Sequence, residues 1–202
     1  MKCLGIDTSG SHLTVAIINE DKTYSKHLPN CNLQHSVIAM QEVEDLLLLA
    51  NLDIFDIDVF ACVVGPGSFT GIRIGISMVK AFAFACGKKV LSLTSFDVLA
   101  YSSDSSKNLA LIDAKHDNYY ICGYENLKPI TSGEFYGLEK VKEISKEYEN
   151  LLISSTNEDF TSNCNLEKGF INALKNNLDK ATSDRESLIA LYLKKSQAEE
   201  NK

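Results

Sequence analysis

Paired metal ligands are what this sequence most plainly lacks. Six cysteines (Cys3, Cys31, Cys62, Cys86, Cys122 and Cys164) stand singly, with no C-x-x-C pair to hold zinc or run redox chemistry, so they are expected as small buried thiols. The four histidines do no better: His35 is followed four residues on by Ala39, which removes the H-x-x-x-H pattern of a metallohydrolase helix, and His12, His27 and His116 form no ligand spacing. Positive charge is also short. Twenty Lys and Arg against 27 Asp and Glu give a net charge of -7, which excludes wrapping nucleic acid unaided, because such affinity is dominated by phosphate neutralisation. Any nucleic-acid role needs a partner with a basic surface. No apolar run is expected to reach the roughly 18 residues that span a bilayer. The opening MKCLGIDTSG lacks the apolar core of a signal peptide, so no membrane is implied and the cytoplasm is the expected compartment.

What is present centres on residues 59–88, VFACVVGPGSFTGIRIGISMVKAFAFACGK. A β-branched run over 59–64 breaks at Gly65-Pro66-Gly67, and Ser68 and Thr70 offer hydroxyls where the next element starts: a buried strand, a tight turn and a capped helix. That helix carries two charges, Arg73 and Lys80, and is otherwise small or apolar on nearly every side. Its ridge Gly71, Gly75, Val79, Ala83 contains two glycines, each lowering helix propensity by about 1 kcal/mol. Another backbone packing close would explain them, and it could belong to this chain's own sheet or to a second subunit. A second helix is predicted over 33–50, with Val37, Met40, Val43 and Leu47 on one stripe and Ile38, Leu46 and Leu49 widening it. Both helices present more apolar surface than one core needs.

In chain order, strands are predicted over 3–7, 13–18 and 22–28, with Asp7 leading into the polar turn Thr8-Ser9-Gly10-Ser11. An Asp before such a hairpin is how actin-like and sugar-kinase-like folds present donors to phosphate; a turn satisfying its own backbone reads equally from the residues. A strand over 89–93 and a short helix ending at 100, capped by Thr94-Ser95, complete a mixed sheet flanked by helices. The polar stretch SSDSSKN over 102–108 marks a lobe boundary. Beyond it the pattern gives strands over 109–113, 119–124, 130–136 and 151–155, and helices over 138–148 and 166–178. The tail from 184 reads as a helix carrying Leu188, Leu191 and Tyr192 and running into a solvated KKSQAEENK. Residues 1–101 then form one lobe, to which 184–202 return, and 102–183 a smaller one. Asp113, Lys115, His116 and Asp117 cluster at a strand end, as a ligand site or as a plain polar turn.

The segments LGIDTSGSHLTVAI, QHSVIAMQEVEDLL, VVGPGSFTGIRIGISMVKAFAFA, LTSFDVLA, ALIDAKHDNYYICGY and ALYLKKSQAEE together resemble the TsaB (YeaZ) family of bacterial tRNA threonylcarbamoyladenosine synthesis, over about two thirds of the chain and patchily between 126 and 184. The resemblance implies an α/β, actin-like (ASKHA, ribonuclease-H-like) two-lobed fold and a non-catalytic paralogue of TsaD. TsaD transfers threonylcarbamoyl from its adenylate to the adenosine beside the anticodon of ANN-decoding tRNAs. It further implies that the helices over 33–50 and 70–86 dock on TsaD or on a second copy of the chain, with Val37, Met40, Gly71, Ile72, Gly75, Ile76 and Val79 at the seam. The ATPase TsaE is an implied third partner, tRNA is met only through the complex, and ATP and magnesium are used by partner subunits, with no catalytic residue, metal or cofactor here. Asp7, Thr8, Ser9, Gly65, Gly67, Ser68 and Asp113 would then be a vestigial nucleotide site. The second lobe is short for the family, which leaves the TsaE surface open.

Two other readings stand beside this one. A kinase or ATPase of the same fold would use Asp7, Thr8 and Ser9, the Gly65-Pro66-Gly67 loop as phosphate cradle, and Asp113 as the opposing carboxylate. A glycoprotease-like metallopeptidase would need the ligand pair that Ala39 interrupts.

Overall fold

The computed structural model describes residues 1–31, 34–161 and 164–193. The predicted helix start at Leu33 and the tail KKSQAEENK lie outside the described residues.

Two five-stranded mixed sheets organise the chain. In the first, β1 (Lys2–Asp7), β2 (Leu13–Asn19) and β3 (Lys22–Leu28) form an antiparallel meander. Helix α1 (His35–Ala50) follows, then β4 (Val59–Val63), α2 (Phe69–Cys86) and β5 (Lys89–Leu93). β4 lies parallel to β1 and β5 parallel to β4, giving the order β3-β2-β1-β4-β5. The short α3 (Ser95–Ala100) is capped by Thr94, whose hydroxyl accepts from Asp97 N while the Asp97 carboxylate accepts from Thr94 N.

The second sheet holds β6 (Lys107–Asp113), β7 (Asn118–Glu125), the two-residue β8 (Lys128–Pro129), β9 (Glu134–Gly137) and, after α4 (Leu138–Ser145), β10 (Asn150–Ile153). Its order is β10-β6-β7-β8, with β9 also pairing β7 and β10 parallel to β6. α5 (Leu166–Asn177) comes last.

Strand alternation splits the first sheet into two dry faces. Leu4, Ile6, Val15, Ile17, Phe60 and Cys62 face α1 and α2; Cys3, Ala16, Ile18, Ala61, Val63 and Leu91 face Val98 of α3 and Phe170, Ala173 and Leu174 of α5. The chain therefore returns to the first lobe at α5, before the expected 184, because Phe170 and Leu174 fill the space beside Gly5. The second sheet packs Ala110, Ile112, Cys122 and Leu152 under Phe96, Leu99 and Ala100 of α3, so α3 serves both lobes.

Two further expectations change. The strand predicted over 130–136 is shorter, beginning at Glu134, and the helix predicted from 184 is a single 3-10 turn, Arg185–Ser187, followed by irregular chain up to 193. That chain is pinned individually: Leu188 is buried in the first core, Thr182 pairs with Val90, and Leu191 N donates to Val64 O at 2.7 Å.

α2 also corrects the statement on apolar runs. Among the described residues it is the one helix long and apolar enough to cross a membrane by length and composition. Here it lies along its own sheet, burying Gly71, Ile72, Gly75, Ile76, Val79 and Ala83.

Candidate functional site: a neutralised cleft and an uncovered helix face

The carboxyl ends of parallel strands β1, β4 and β5 in one lobe and β6 and β10 in the other converge on a cleft of about 560 Å3. Open α/β sheets characteristically present ligand sites at that edge. The cleft brings together Asp7, Ser9, Gly67, Ser68 and Asp113 of the predicted nucleotide set, along with Lys115, Ser95 and Ser154, which the sequence reading left out of that set. Thr8 and Gly65 stand behind the lining: Thr8 is fully buried and its hydroxyl donates to Gly71 O at 2.7 Å.

Both carboxylates of the cleft are already engaged. Asp7 is 1% exposed, accepts from Ser9 N at 2.8 Å through Oδ1, and meets His12 Nε2 at 3.0 Å through Oδ2. Burial alone would raise the Asp7 carboxyl and lower the His12 imidazole. Their mutual charge and hydrogen bond, with Ser9 assisting on the Asp7 side, outweigh it, so Asp7 is lowered and His12 raised. His12 thus occupies the Oδ2 side of the Asp7 carboxylate. His27, ring centroid 5.6 Å from His12, is pushed down by burial and then by the His12 charge. Asp113 accepts from Lys115 N at 2.7 Å and pairs with Lys115 Nζ at 3.0 Å. The turn carrying it holds Lys115, His116 and Asp117 at positive φ, fixed by Asn118 Nδ2 donating to His116 O at 2.6 Å.

His35 has a job unrelated to metal. Its Nε2 donates to His12 O at 2.9 Å, tying the first turn of α1 to the residue that neutralises Asp7. Burial lifts the Cys3 and Cys62 thiols to about 12, with the Asp7 charge adding to Cys62, whereas Cys86 and Cys164 are only half-buried, against the expectation for all six.

The glycine ridge of α2 answers the question left open by the sequence. A Cβ at Gly71 would collide with Thr8 O, and one at Gly75 would come within 2.7 Å of Thr8 Oγ1. The backbone that needs this close approach is the chain's own β1 turn. Gly71, Ile72, Gly75, Ile76 and Val79, expected at a seam, face inward and are buried in this chain's own core. The outward face lies half a turn away, at Ser77, Ala81 and Phe84, while Ile74 lines the cleft and Met78 packs against the core. On α1, Val37 and Met40 do point outward, at 76% and 42% exposed, joined by Leu48 at 82% and by Leu49; Phe84 near the end of α2 is 79% exposed.

The family model described as "TsaD: tRNA N6-adenosine threonylcarbamoyltransferase" matches residues 29–163 of this chain. The tRNA threonylcarbamoyladenosine biosynthesis protein TsaB of Bacillus subtilis (strain 168) is 30% identical over 127 residues, 62% of this chain and 56% of that protein. Its namesake in Escherichia coli (strain K12) is 30% identical over 129 residues, 62% and 55% respectively. The match thus spans about half the length of these curated relatives. The solved structure of YeaZ from Pseudomonas aeruginosa superposes with a TM-score of 0.76 at 23% identity, over 95% of this chain and 99% of that one. That likeness extends across both sheets, cleft included, and gives the fold as the actin-like, ASKHA type. With the TsaD model matched over more than half of its residues, the chain belongs to the family that model describes, and the relatives 30% identical to it carry the TsaB (YeaZ) name.

Proposed function

We propose that this chain is a non-catalytic scaffold in the synthesis of threonylcarbamoyladenosine beside the anticodon of ANN-decoding tRNAs, acting in the cytoplasm by binding and stabilising a TsaD-type transferase. The observation that carries the reading is the exposed apolar surface of α1 and α2, at Val37, Met40, Leu48 and Leu49 on the first helix and at Ala81 and Phe84 on the second. Apolar patches of this kind mark interaction surfaces. The same face serves a homodimer, in which one copy covers the other. The net charge of -7 leaves tRNA to the partners, TsaE joins as the ATPase, and ATP and magnesium are handled by those subunits with no cofactor held here.

The pairing of Asp7 with His12 and of Asp113 with Lys115 supports a lack of catalysis, since a phosphotransfer site needs those carboxylates for its metal. One observation favours a second reading, a kinase or ATPase: the cleft does assemble Asp7, Ser9, Gly67, Ser68 and Asp113. Calorimetric titration with ATP and magnesium separates the two. The scaffold reading expects binding weaker than about 1 mM, and tight binding with turnover would favour the enzyme. For the metallopeptidase reading, His35 is already committed to His12 O.

The direct test is co-elution with the TsaD-type transferase of the same cell. The wild type is expected to co-elute, while Ala81→Arg is expected to abolish the complex with the monomer folded. An intact Ala81→Arg complex would overturn the docking face.

A further inference from the structure

The two charges of α2 are both taken by the chain's own C-terminal segment. Residues 184–193 run antiparallel along one flank of the helix. Arg185 Nε donates to Ala83 O at 3.1 Å in the last turns. Glu186 pairs with Lys80 Nζ at 3.0 Å near the middle. Tyr192 accepts from Arg73 Nε at 3.0 Å at the start, where Arg73 also lies 3.7 Å over the Phe69 ring and the Phe69 and Tyr192 rings sit 5.4 Å apart. Leu188, buried in the core, and the Leu191 N–H on Val64 O anchor the segment between these points.

α2 needs such help. Of its six buried residues three are glycine or alanine, so its fully buried packing rests on Ile72, Ile76 and Val79, with half-buried Met78, Phe82 and Cys86 beside them. Its outward face is open, and the segment closes one flank. We propose that residues 184–193 are a strap that fixes the position of α2 and draws Arg73 and Lys80 off its outward face, so that the docking surface is competent only in the strapped chain. This deepens the docking reading and rests on it. Arg73 and Lys80 are seven residues apart, two turns on one flank. Released, they would sweep over Ser77 and Ala81 and add two charges to an apolar contact, while the helix would lose preorganisation for its partner.

The test uses the full chain with Tyr192→Ala and Glu186→Lys combined, which leaves Leu188 and Leu191 in place, and Tyr192→Phe as a milder variant that keeps the ring stack. Ile189→Ala, exposed on the strap, is the control. Two readouts are taken: amide hydrogen exchange of residues 69–86, and affinity for the TsaD-type transferase. The double variant is expected to exchange α2 amides about tenfold faster and to bind at least about tenfold more weakly, with Tyr192→Phe between it and wild type. If the wild type binds and the double variant binds as well or better, the strap has no part in docking and the proposal falls, whatever the exchange. If the wild type does not bind, the docking reading falls and exchange alone judges the clamp on α2: faster exchange upholds it and unchanged exchange overturns it.

Discussion

The cleft and the α1/α2 face are both built at the first sheet, yet they treat their side chains in opposite ways. In the cleft, Asp7 and Asp113 have each found a basic partner from their own chain, His12 and Lys115. On the helix face, large apolar groups such as Val37, Leu48 and Phe84 stand exposed among the described residues. The chain closes the chemistry of its cleft internally and leaves its greasy surface open. The difference predicts that substitutions in the cleft register as stability, while those on the outward face register as association.

The largest effect is expected at the buried pair. His12→Ala leaves Asp7 charged, buried and without its cation, and should cost about 3–5 kcal/mol in urea unfolding. Asp7→Asn with His12→Ala should recover part of that loss, and a single variant as stable as wild type would mean that the cleft is not built on this pair. Next comes a contrast within α2. Gly71→Ala drives a Cβ into Thr8 O and should destabilise by about 1–3 kcal/mol. Ser77→Ala, half a turn round, should stay within about 0.5 kcal/mol. Equal losses at both positions would break the inward-outward distinction. Val37→Asp, on the exposed face of α1, should leave the melting temperature within a few degrees while weakening transferase binding by about a hundredfold, the scale of a central interface residue.

The smallest effect is in pH. Asp7, lowered in the fold, contributes stability above the ordinary carboxylate value of about 3.9 that is lost as pH falls through its folded value. His12, raised in the fold, contributes fully below the ordinary imidazole value of about 6.5, and that share is lost as pH rises through its folded value. The pair is thus worth most between about 4 and 6.5. Urea midpoints measured across that window and above it should decline on the alkaline side for wild type, and more gently for Asp7→Asn with His12→Ala.

The elements were legible because their signals are local. β3 and β5 fall on the predicted residues, and the Thr94 cap and the Ser68 turn were readable from hydroxyls placed before helical runs. What the sequence could not give was direction. α2 is apolar nearly all round, so its periodicity carries no information about which ridge meets the sheet, and the glycines read equally well as facing either way. The deciding contact, Thr8 O, is 63 residues away in sequence. His12 was missed for a related reason: its spacing from other histidines suggested nothing, whereas its position five residues after Asp7, across a hairpin turn, was the usable signal. The tail failed for a third reason. Leu188 and Leu191 satisfy a helical spacing, but each is anchored separately, one in the core and one on the backbone of Val64.

α3 has a mechanical consequence. Its Val98 belongs to the first core, its Phe96 and Leu99 to the second, and Tyr124 of β7 donates to Asp97 Oδ1 at 2.7 Å. A jaw-like swing of one half against the other would have to strip that short rod from one of its two beds. That double seating works against any relative motion of the two sheets that would pull them apart at α3.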